Sequence, residues 1–386
     1  MFKMHLWRRR ERVVAVVDIG SASAAVAILV IGPDGSASVI AAERVQLSIE
    51  QRTQDAAIAG IGESLKTAGE NVQKKYAASK QKSNAAIDEL FVIMHAPWSR
   101  SQTARATATF KDDVLITDRI ISDLAKKALA EEHTIDGKNL LEASVIRVEL
   151  NGYPSAKPVG KRVKEIAVYA LLSDFTSDIR GLIETTLQRI FPTLSPVFRS
   201  ATRAAVTVLR ERTGPIKDYL LIYMESEGTT LTATRNGVTT EHELVPEGLH
   251  TILKRISESG MPEETLSLIR MLSRDQCSDP ACGTMQASIA RVEPELVRIF
   301  GEAMGKCASL HRLPDTLILI AHPDILSWLS VFFSRIDFAQ FTLTTQPFVV
   351  KALDHAELIG SVQSLNGVVL DSGLALGCGL VHIEKN

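Results

Sequence analysis

The chain has 386 residues, an apolar fraction of 45% and a formal net charge of −2. That length allows two domains or one large bilobal fold, and the composition excludes a disordered chain. The near-neutral charge and an aromatic content of 5% argue against nucleic acid as a partner, which calls for a basic surface or a base-stacking platform.

Residues 1–12 form a basic leader in which Lys3, Arg8, Arg9 and Arg10 are mixed with Phe2, Leu6 and Trp7. Such a leader offers peripheral contact with an anionic membrane surface, at about 1 kcal/mol per basic residue. The plainer reading is a solvated segment before the first strand. The apolar run Val13 to Ile31 imitates a signal peptide or a membrane anchor. Asp18 argues against that, because an Asp at a helix centre costs about 2.5–3.5 kcal/mol on insertion scales. Gly20 and Ser21 also cut the run, and its valines favour strands. With no other stretch able to span a bilayer, a cytoplasmic location is expected.

Val13 to Val17 reads as a strand, Asp18 to Ser23 as a turn and Ala24 to Ile31 as a second strand. Gly32-Pro33-Asp34-Gly35 is a hairpin turn, and Ser38 to Leu47 a third strand. A helix follows, with Ile58, Ile61, Leu65, Val72 and Tyr76 on one face. The same order returns later. Strands are predicted at Tyr219 to Met224, Thr229 to Thr234 and Val238 to Val245, with turns at Glu225 to Gly228 and at Arg235-Asn236-Gly237. The helix after them carries Leu249, Ile252, Leu253 and Ile256. A strand–turn–strand–turn–strand–helix unit occurring twice predicts an internally duplicated, two-lobed α/β fold.

The region between the two units differs. Strands are predicted at Glu89 to Met94, Thr103 to Phe110, Ala143 to Leu150 and Val163 to Leu172, with a helix at Asp118 to Glu131. This is the pattern of a small inserted α+β domain. Helices at Asp178 to Ile190 and Ala201 to Arg210 lead to the second unit. Beyond it come helices at Glu263 to Leu272 and Glu293 to His311, a strand at Thr316 to Ala321, and an apolar, glycine-rich tail at Gly367 to Ile383. Cys277, Cys282, Cys307 and Cys378 make neither a CxxC motif nor a zinc spacing, so free thiols are expected. His95, His133 and His242 show no metal spacing and read as structural. The basic cluster Lys157, Lys161, Arg162 and Lys164 reads as a solvated loop, or as a contact site on the inserted domain.

A phosphate site needs converging backbone N–H groups and a nearby hydroxyl. Gly20 permits close approach, Ser21 and Ser23 supply hydroxyls, and Asp18 at a strand end can hold magnesium through water. Alone, Asp18-Ile19-Gly20-Ser21 reads as an ordinary hairpin turn with an exposed Asp. In the duplicated context, Val14 to Ser21 resembles the first phosphate motif of the actin-like ATPases, within them the FtsA/PilM branch. Asn151-Gly152-Tyr153, Pro158-Val159-Gly160 and the strand Glu165 to Leu172 are similar to FtsA's inserted domain. Ser372 to Gly377 resembles the Gly-Leu-Ala-Leu stretch near the end of both families.

The resemblance implies a duplicated actin-like (ribonuclease H-like) two-lobed fold with a small inserted α+β domain. Its first lobe is expected at 13–87 and 175–214, with 367–386 packing back, and its inserted domain at 88–174. The second lobe is expected at 215–366, including a helical subdomain at 246–314. ATP and magnesium are the implied cofactors, gripped between two phosphate turns: Asp18, Gly20, Ser21 and Ser23 in the first, Gly228, Thr229 and Thr230 in the second, with Asp18 toward the metal.

Departures from the family pattern predict weak ATP binding or none. The family's second turn begins with an Asp where this chain has Met224, its glycines fall on Ser226 and Glu227, and its final Asp falls on Leu231. A carboxylate there, at Glu225 or Glu227, repels phosphate. The adenosine-side glycines fall on Ala321-His322-Pro323, where proline has no N–H to offer. The Glu and Lys near the base fall at Ser267 and Arg270. The expected role is therefore a non-catalytic or weakly catalytic scaffold at the inner face of the cell membrane. It is FtsA-like in division, or PilM-like in type IV pilus assembly. The implied partner is membrane-associated, an FtsZ-like tail or a pilus inner-membrane peptide, and self-association is compatible with the family. FtsA reaches the membrane through a C-terminal amphipathic helix, for which Val381 to Asn386 leaves no room. PilM reaches it through a partner's peptide. An active ATPase or sugar-kinase relative is the competing reading, resting on Asp18, Gly20 and Ser21 and on rescue by Glu225.

Overall fold

A computed structural model describes residues 11–48, 54–79, 86–176, 179–212, 214, 216–257, 262–274, 276, 280–309, 311–365 and 367–385. The leader residues Lys3, Arg8, Arg9 and Arg10, and Cys277, lie outside the described residues. In chain order the elements are β1 (Arg12–Gly20), β2 (Ser23–Ile31), β3 (Ala37–Gln46), α1 (Gln54–Ala78), β4 (Glu89–Met94), β5 (Ser99–Leu115), α2 (Asp118–Glu131), β6 (Leu140–Leu150), β7 (Tyr153–Pro154) and β8 (Arg162–Phe175). Next come α3 (Ile179–Ile190), β9 (Pro196–Ser200), α4 (Ala201–Arg212), β10 (Tyr219–Met224), β11 (Thr229–Arg235), β12 (Val238–Val245), α5 (Leu249–Ser257), α6 (Pro262–Ser273) and α7 (Pro280–Cys307). The chain ends with β13 (Thr316–Ile320), α8 (Pro323–Phe333), β14 (Val349–Ala352), α9 (His355–Ile359), β15 (Val362–Ser364) and α10 (Ser372–Lys385).

The chain folds into two compact units. The first comprises 1–95, 177–212 and 354–386, and the second comprises 96–176 and 213–353. The first unit is built on a six-stranded sheet in the order β15-β3-β2-β1-β4-β9. β1 pairs antiparallel with β2 and β2 with β3, whereas β1–β4 and β4–β9 are parallel. Val13 to Gly20 are all buried, so both faces of the central strand are covered, as its unbroken apolar run requires. α1 packs on β2 and β3, while α10 packs on β1, β2 and α4. Small residues let α10 come close: a Cβ on Gly377 would stand 3.0 Å from Val16 Cγ1 and 3.1 Å from Ile93 Cγ1.

The second unit carries a five-stranded sheet in the order β12-β11-β10-β13-β14. Its two antiparallel pairs followed by two parallel pairs repeat the pattern of β3-β2-β1-β4-β9. The duplication read from the sequence is thus present at the level of strand pairing. Its core includes Phe300, Phe332, Phe333 and Phe338, with Phe300 and Phe333 edge-to-face at 5.1 Å, a favoured aromatic geometry. The same unit holds a four-stranded sheet, β5-β8-β6-β7, whose inner residues Ala104, Ala106, Ile166 and Val168 pack with Leu124 and Ala128 of α2.

Two sequence expectations change. The turn predicted at Asp18 to Ser23 shrinks to Ser21-Ala22, because β1 continues to Gly20, which pairs with Ser23. Asp18 stays in the strand because its charge is paired internally. Cys282 is disulfide-bonded, so the expectation of free thiols fails there, whereas Cys307 and Cys378 are free and buried. Among the described residues, no helix is long and apolar enough to cross a membrane.

Candidate functional site

Asp18 lies at the C-terminal end of β1 and is 1% exposed. A carboxylate so placed must be paired or neutralised, and it is paired twice. Arg44 of β3 donates from Nη2 to Asp18 Oδ2 at 2.6 Å, and Nε2 of His95, just past β4, lies 2.6 Å from Asp18 Oδ1. Arg44 also donates from Nε to Asp371 Oδ2 at 2.6 Å and from Nη2 to Asp371 Oδ1 at 2.7 Å. Its Nη1 donates to Ser23 Oγ at 2.7 Å. Asp371 in turn caps α10, accepting from Leu374 N at 3.1 Å.

Strand periodicity explains the convergence. Asp18 lies two residues beyond Val16, so both side chains leave the same face of β1, the face that α10 covers. Gly373 completes the fit, since a Cβ there would stand 2.5 Å from Asp18 Oδ2 and 3.1 Å from Arg44 Nη2. Burial opposes ionisation of Asp18, but the charges of His95 and Arg44 and their hydrogen bonds outweigh it and hold the carboxyl well below the usual range. For Arg44, burial works against the charge, and Asp371 and Asp18 overcome it and raise the guanidinium pKa. Burial, with the nearby Asp18 and Asp371 charges, pushes the Cys378 thiol up.

The first set of sequence-predicted residues, Asp18, Gly20, Ser21 and Ser23, is brought together at the β1–β2 hairpin. Ser21 and Ser23 are buried. As arranged, these residues do not fit a magnesium ion. Both carboxylate oxygens of Asp18 are engaged by cationic or imidazole nitrogen, and the residue has almost no surface for the water that would bridge to a metal.

The second set, Gly228, Thr229 and Thr230, lies at the β10–β11 hairpin. Glu225 N donates to Gly228 O at 2.8 Å, closing the turn. Thr229 is fully buried, and its hydroxyl donates to Glu247 O at 2.6 Å. Thr230 Oγ1 lies 3.5 Å from Tyr223 O. The first amides of α5, on which an anion would otherwise sit, are used by the turn itself. Leu249 N donates to Glu225 O at 2.7 Å, and His250 N to Ser226 O at 2.8 Å. The hydroxyl of Thr229 thus belongs to the strand framework.

The nucleoside positions are likewise absorbed into packing. His322 caps α8, accepting at Nδ1 from Asp324 N at 3.3 Å, and Pro323 is its first helical residue. Burial holds the His322 imidazole below its ordinary pKa. Arg270 of α6 stands 3.6 Å from Asp324 of α8, joining the two helices. Among the described residues, no group of three or more His, Cys, Asp or Glu side chains is placed to hold a metal ion.

Sequence reasoning misses Arg44 and Asp371. Arg44 is a lone cation near Ala41, Ala42 and Val45 in a strand, and Asp371 precedes a helix as a cap residue should. Each is a local sign, but nothing local says that the two meet at Asp18.

No family model matches the sequence, and no curated protein sequence matches it. A chain from a solved PilM–PilN type IV pilus biogenesis complex is similar in fold, with a TM-score of 0.59 and 11% identity, over 97% of this chain and 98% of its own. Ethanolamine utilization protein EutJ from Carboxydothermus hydrogenoformans aligns with a TM-score of 0.40 and 11% identity over 95% and 89% of the two chains. A protein of actin-like ATPase fold from Bacteroides thetaiotaomicron aligns with a TM-score of 0.35 and 8% identity over 98% of each chain.

Proposed function

Taking the actin-like fold of this chain as the premise, we propose that the protein is a scaffold that works by binding a protein partner rather than by turning over nucleotide. Its role is PilM-like, in an inner-membrane platform for type IV pilus assembly. The observation that carries this reading is the fold likeness over 97% of this chain to a chain from a solved type IV pilus biogenesis complex. The internal pairing of Asp18, and the use of the Thr229 hydroxyl and the α5 amides within the fold, support the non-catalytic part. The FtsA-like division reading shares the premise and rests on the likeness of Asn151 to Leu172 to FtsA's inserted domain, and the fold likeness to a chain of a pilus biogenesis complex is what favours the pilus reading over it.

The test is calorimetric titration of the purified chain with two synthetic peptides from its own organism. One is the cytoplasmic N-terminal segment of a single-span pilus inner-membrane protein, and the other is the C-terminal tail of the division polymer FtsZ. Micromolar binding of the first and none of the second is expected, unchanged by ATP and magnesium. Binding of the FtsZ tail alone would overturn the pilus assignment. Binding of neither, or steady ATP turnover, would overturn the scaffold reading.

A further inference from the structure

The Asp18 cluster joins the β1–β2 hairpin to β3 and to the start of α10. Asp18 lies near the end of β1, Ser23 opens β2, Arg44 lies on β3 and Asp371 caps α10. One guanidinium touches the side chains of all three others at 2.6–2.7 Å. It stands between two carboxylates, the arrangement in which a hard divalent cation is ordinarily held.

We propose that Arg44 is a built-in cation that takes the place of a bound divalent metal at this locus, so that the β1–β2 hairpin and α10 are joined whether or not metal or nucleotide is present. Three features of the geometry carry this. The planar fork of arginine matches the carboxylate of Asp371 with two parallel donors. Its third terminal donor direction meets Ser23 Oγ, a hydroxyl on the hairpin. With the guanidinium in place and Gly373 against Asp18 and Arg44, no room remains between strand and helix for a hydrated ion, whose shell is wider than a methyl group. A side chain cannot dissociate as an ion does, so the link is permanent.

A consequence follows for the carboxylates. Without the guanidinium, His95 still holds Oδ1 of Asp18, while Oδ2 of Asp18 and both oxygens of Asp371 face the space it filled. Arg44→Ala therefore turns an arginine-filled site into one that takes a divalent cation.

The experiment uses the full chain with manganese(II) as the probe, read by electron paramagnetic resonance, and thermal unfolding with and without EDTA. The wild-type protein is expected to show no bound manganese at this site and the same Tm with manganese or EDTA. Arg44→Ala is expected to have a lower Tm, to bind manganese and to regain part of the lost Tm with it. Both the binding and the regain are lost in Arg44→Ala/Asp371→Asn. A folded Arg44→Ala protein that binds no manganese overturns the proposal. So does manganese binding by the wild type that Asp371→Asn abolishes. If Arg44→Ala does not fold, refolding it with manganese replaces the thermal arm, and the wild-type titration stands unchanged. Partner binding is not read in this experiment, so its result is independent of the pilus assignment.

Discussion

Gly373→Ala isolates the contact between α10 and the Asp18 cluster. The added carbon would lie 2.5 Å from Asp18 Oδ2 and 3.1 Å from Arg44 Nη2. Ordinary contact needs about 1 Å more than the first of these distances. Asp18 has little freedom to yield, because its two oxygens are held at 2.6 Å by His95 and Arg44. Either α10 lifts at its first turn or the Asp18–Arg44 bond breaks. A hydrogen bond to a charged group is worth about 1.5–3 kcal/mol, and the gain from replacing Gly by Ala in a helix is at most about 1 kcal/mol. With that gain set in full against the loss, the net expected loss is about 0.5–2 kcal/mol. Gly181→Ala is the matched control: it also sits in the first turn of a helix, α3, in the same unit, and a Cβ there meets nothing within 4 Å. That variant should be neutral or stabilised by up to about 1 kcal/mol. Urea unfolding followed by circular dichroism gives both midpoints. Equal midpoints for the two variants would refute the reasoning, because they would show that the close approach at Gly373 carries no strain.

Other predictions test the second unit and the buried thiols. Burial holds the His242 imidazole at about 4, below its ordinary 6.5. The unfolded chain therefore takes up this proton first as pH falls, and stability should drop between about pH 6.5 and 4 and level off below. His242→Gln should flatten that window relative to wild type in urea midpoints measured across it, and an unchanged slope would count against the assignment. Thr229→Val removes the hydroxyl that donates to Glu247 O and should cost about 1 kcal/mol in the same unfolding assay. Burial pushes the Cys307 thiol up to about 12, and Cys378 is raised as well. Both should resist a disulfide-exchange reagent in the native protein and react fully in denaturant.

The strand–turn–strand–turn–strand–helix repeat is legible because its strands are runs rich in aliphatic or β-branched residues separated by glycine-containing turns, and the pairing of β1 to β3 and β10 to β12 follows from hairpin connection alone. The last parallel partner in each sheet is not legible. β9 has five residues and β14 has four, too few for a period to show, and their pairing with β4 and β13 is set by crossover packing rather than by local sequence. α8 escapes for another reason. Ile325, Leu329, Phe332 and Phe333 carry a helical period, and Pro323 is a start signal, but Ala321-His322-Pro323 falls where the family resemblance places a nucleoside loop, which masks the helix start. The Asp18 site is legible only at the β1–β2 hairpin, in Asp18 and Ser23. The partners of Asp18 stand 26 and 77 residues away along the chain, and Asp371, 327 residues from Arg44, reaches Asp18 only through that arginine.

The two hairpins have turned inward by different physical routes, and that difference bears on how each would respond to change. At β1–β2 the ligand-facing group is still present, an Asp near the end of the strand, and its two oxygens are taken by Arg44 of β3 and by His95, just past β4. One substitution, at Arg44, frees its Oδ2 again. At β10–β11 the acidic residue is absent from the strand, where Met224 stands, and the α5 amides are used by the carbonyls of Glu225 and Ser226. A Cβ on Gly248 would lie 2.4 Å from Gly228 N, so the helix start and the turn are in contact through backbone. No single side-chain change frees those amides, because the groups that occupy them are main-chain carbonyls. The first hairpin is thus blocked by a side chain and the second by its own backbone, so a change at Arg44 alone restores a cation site in the first unit without restoring an anion site in the second.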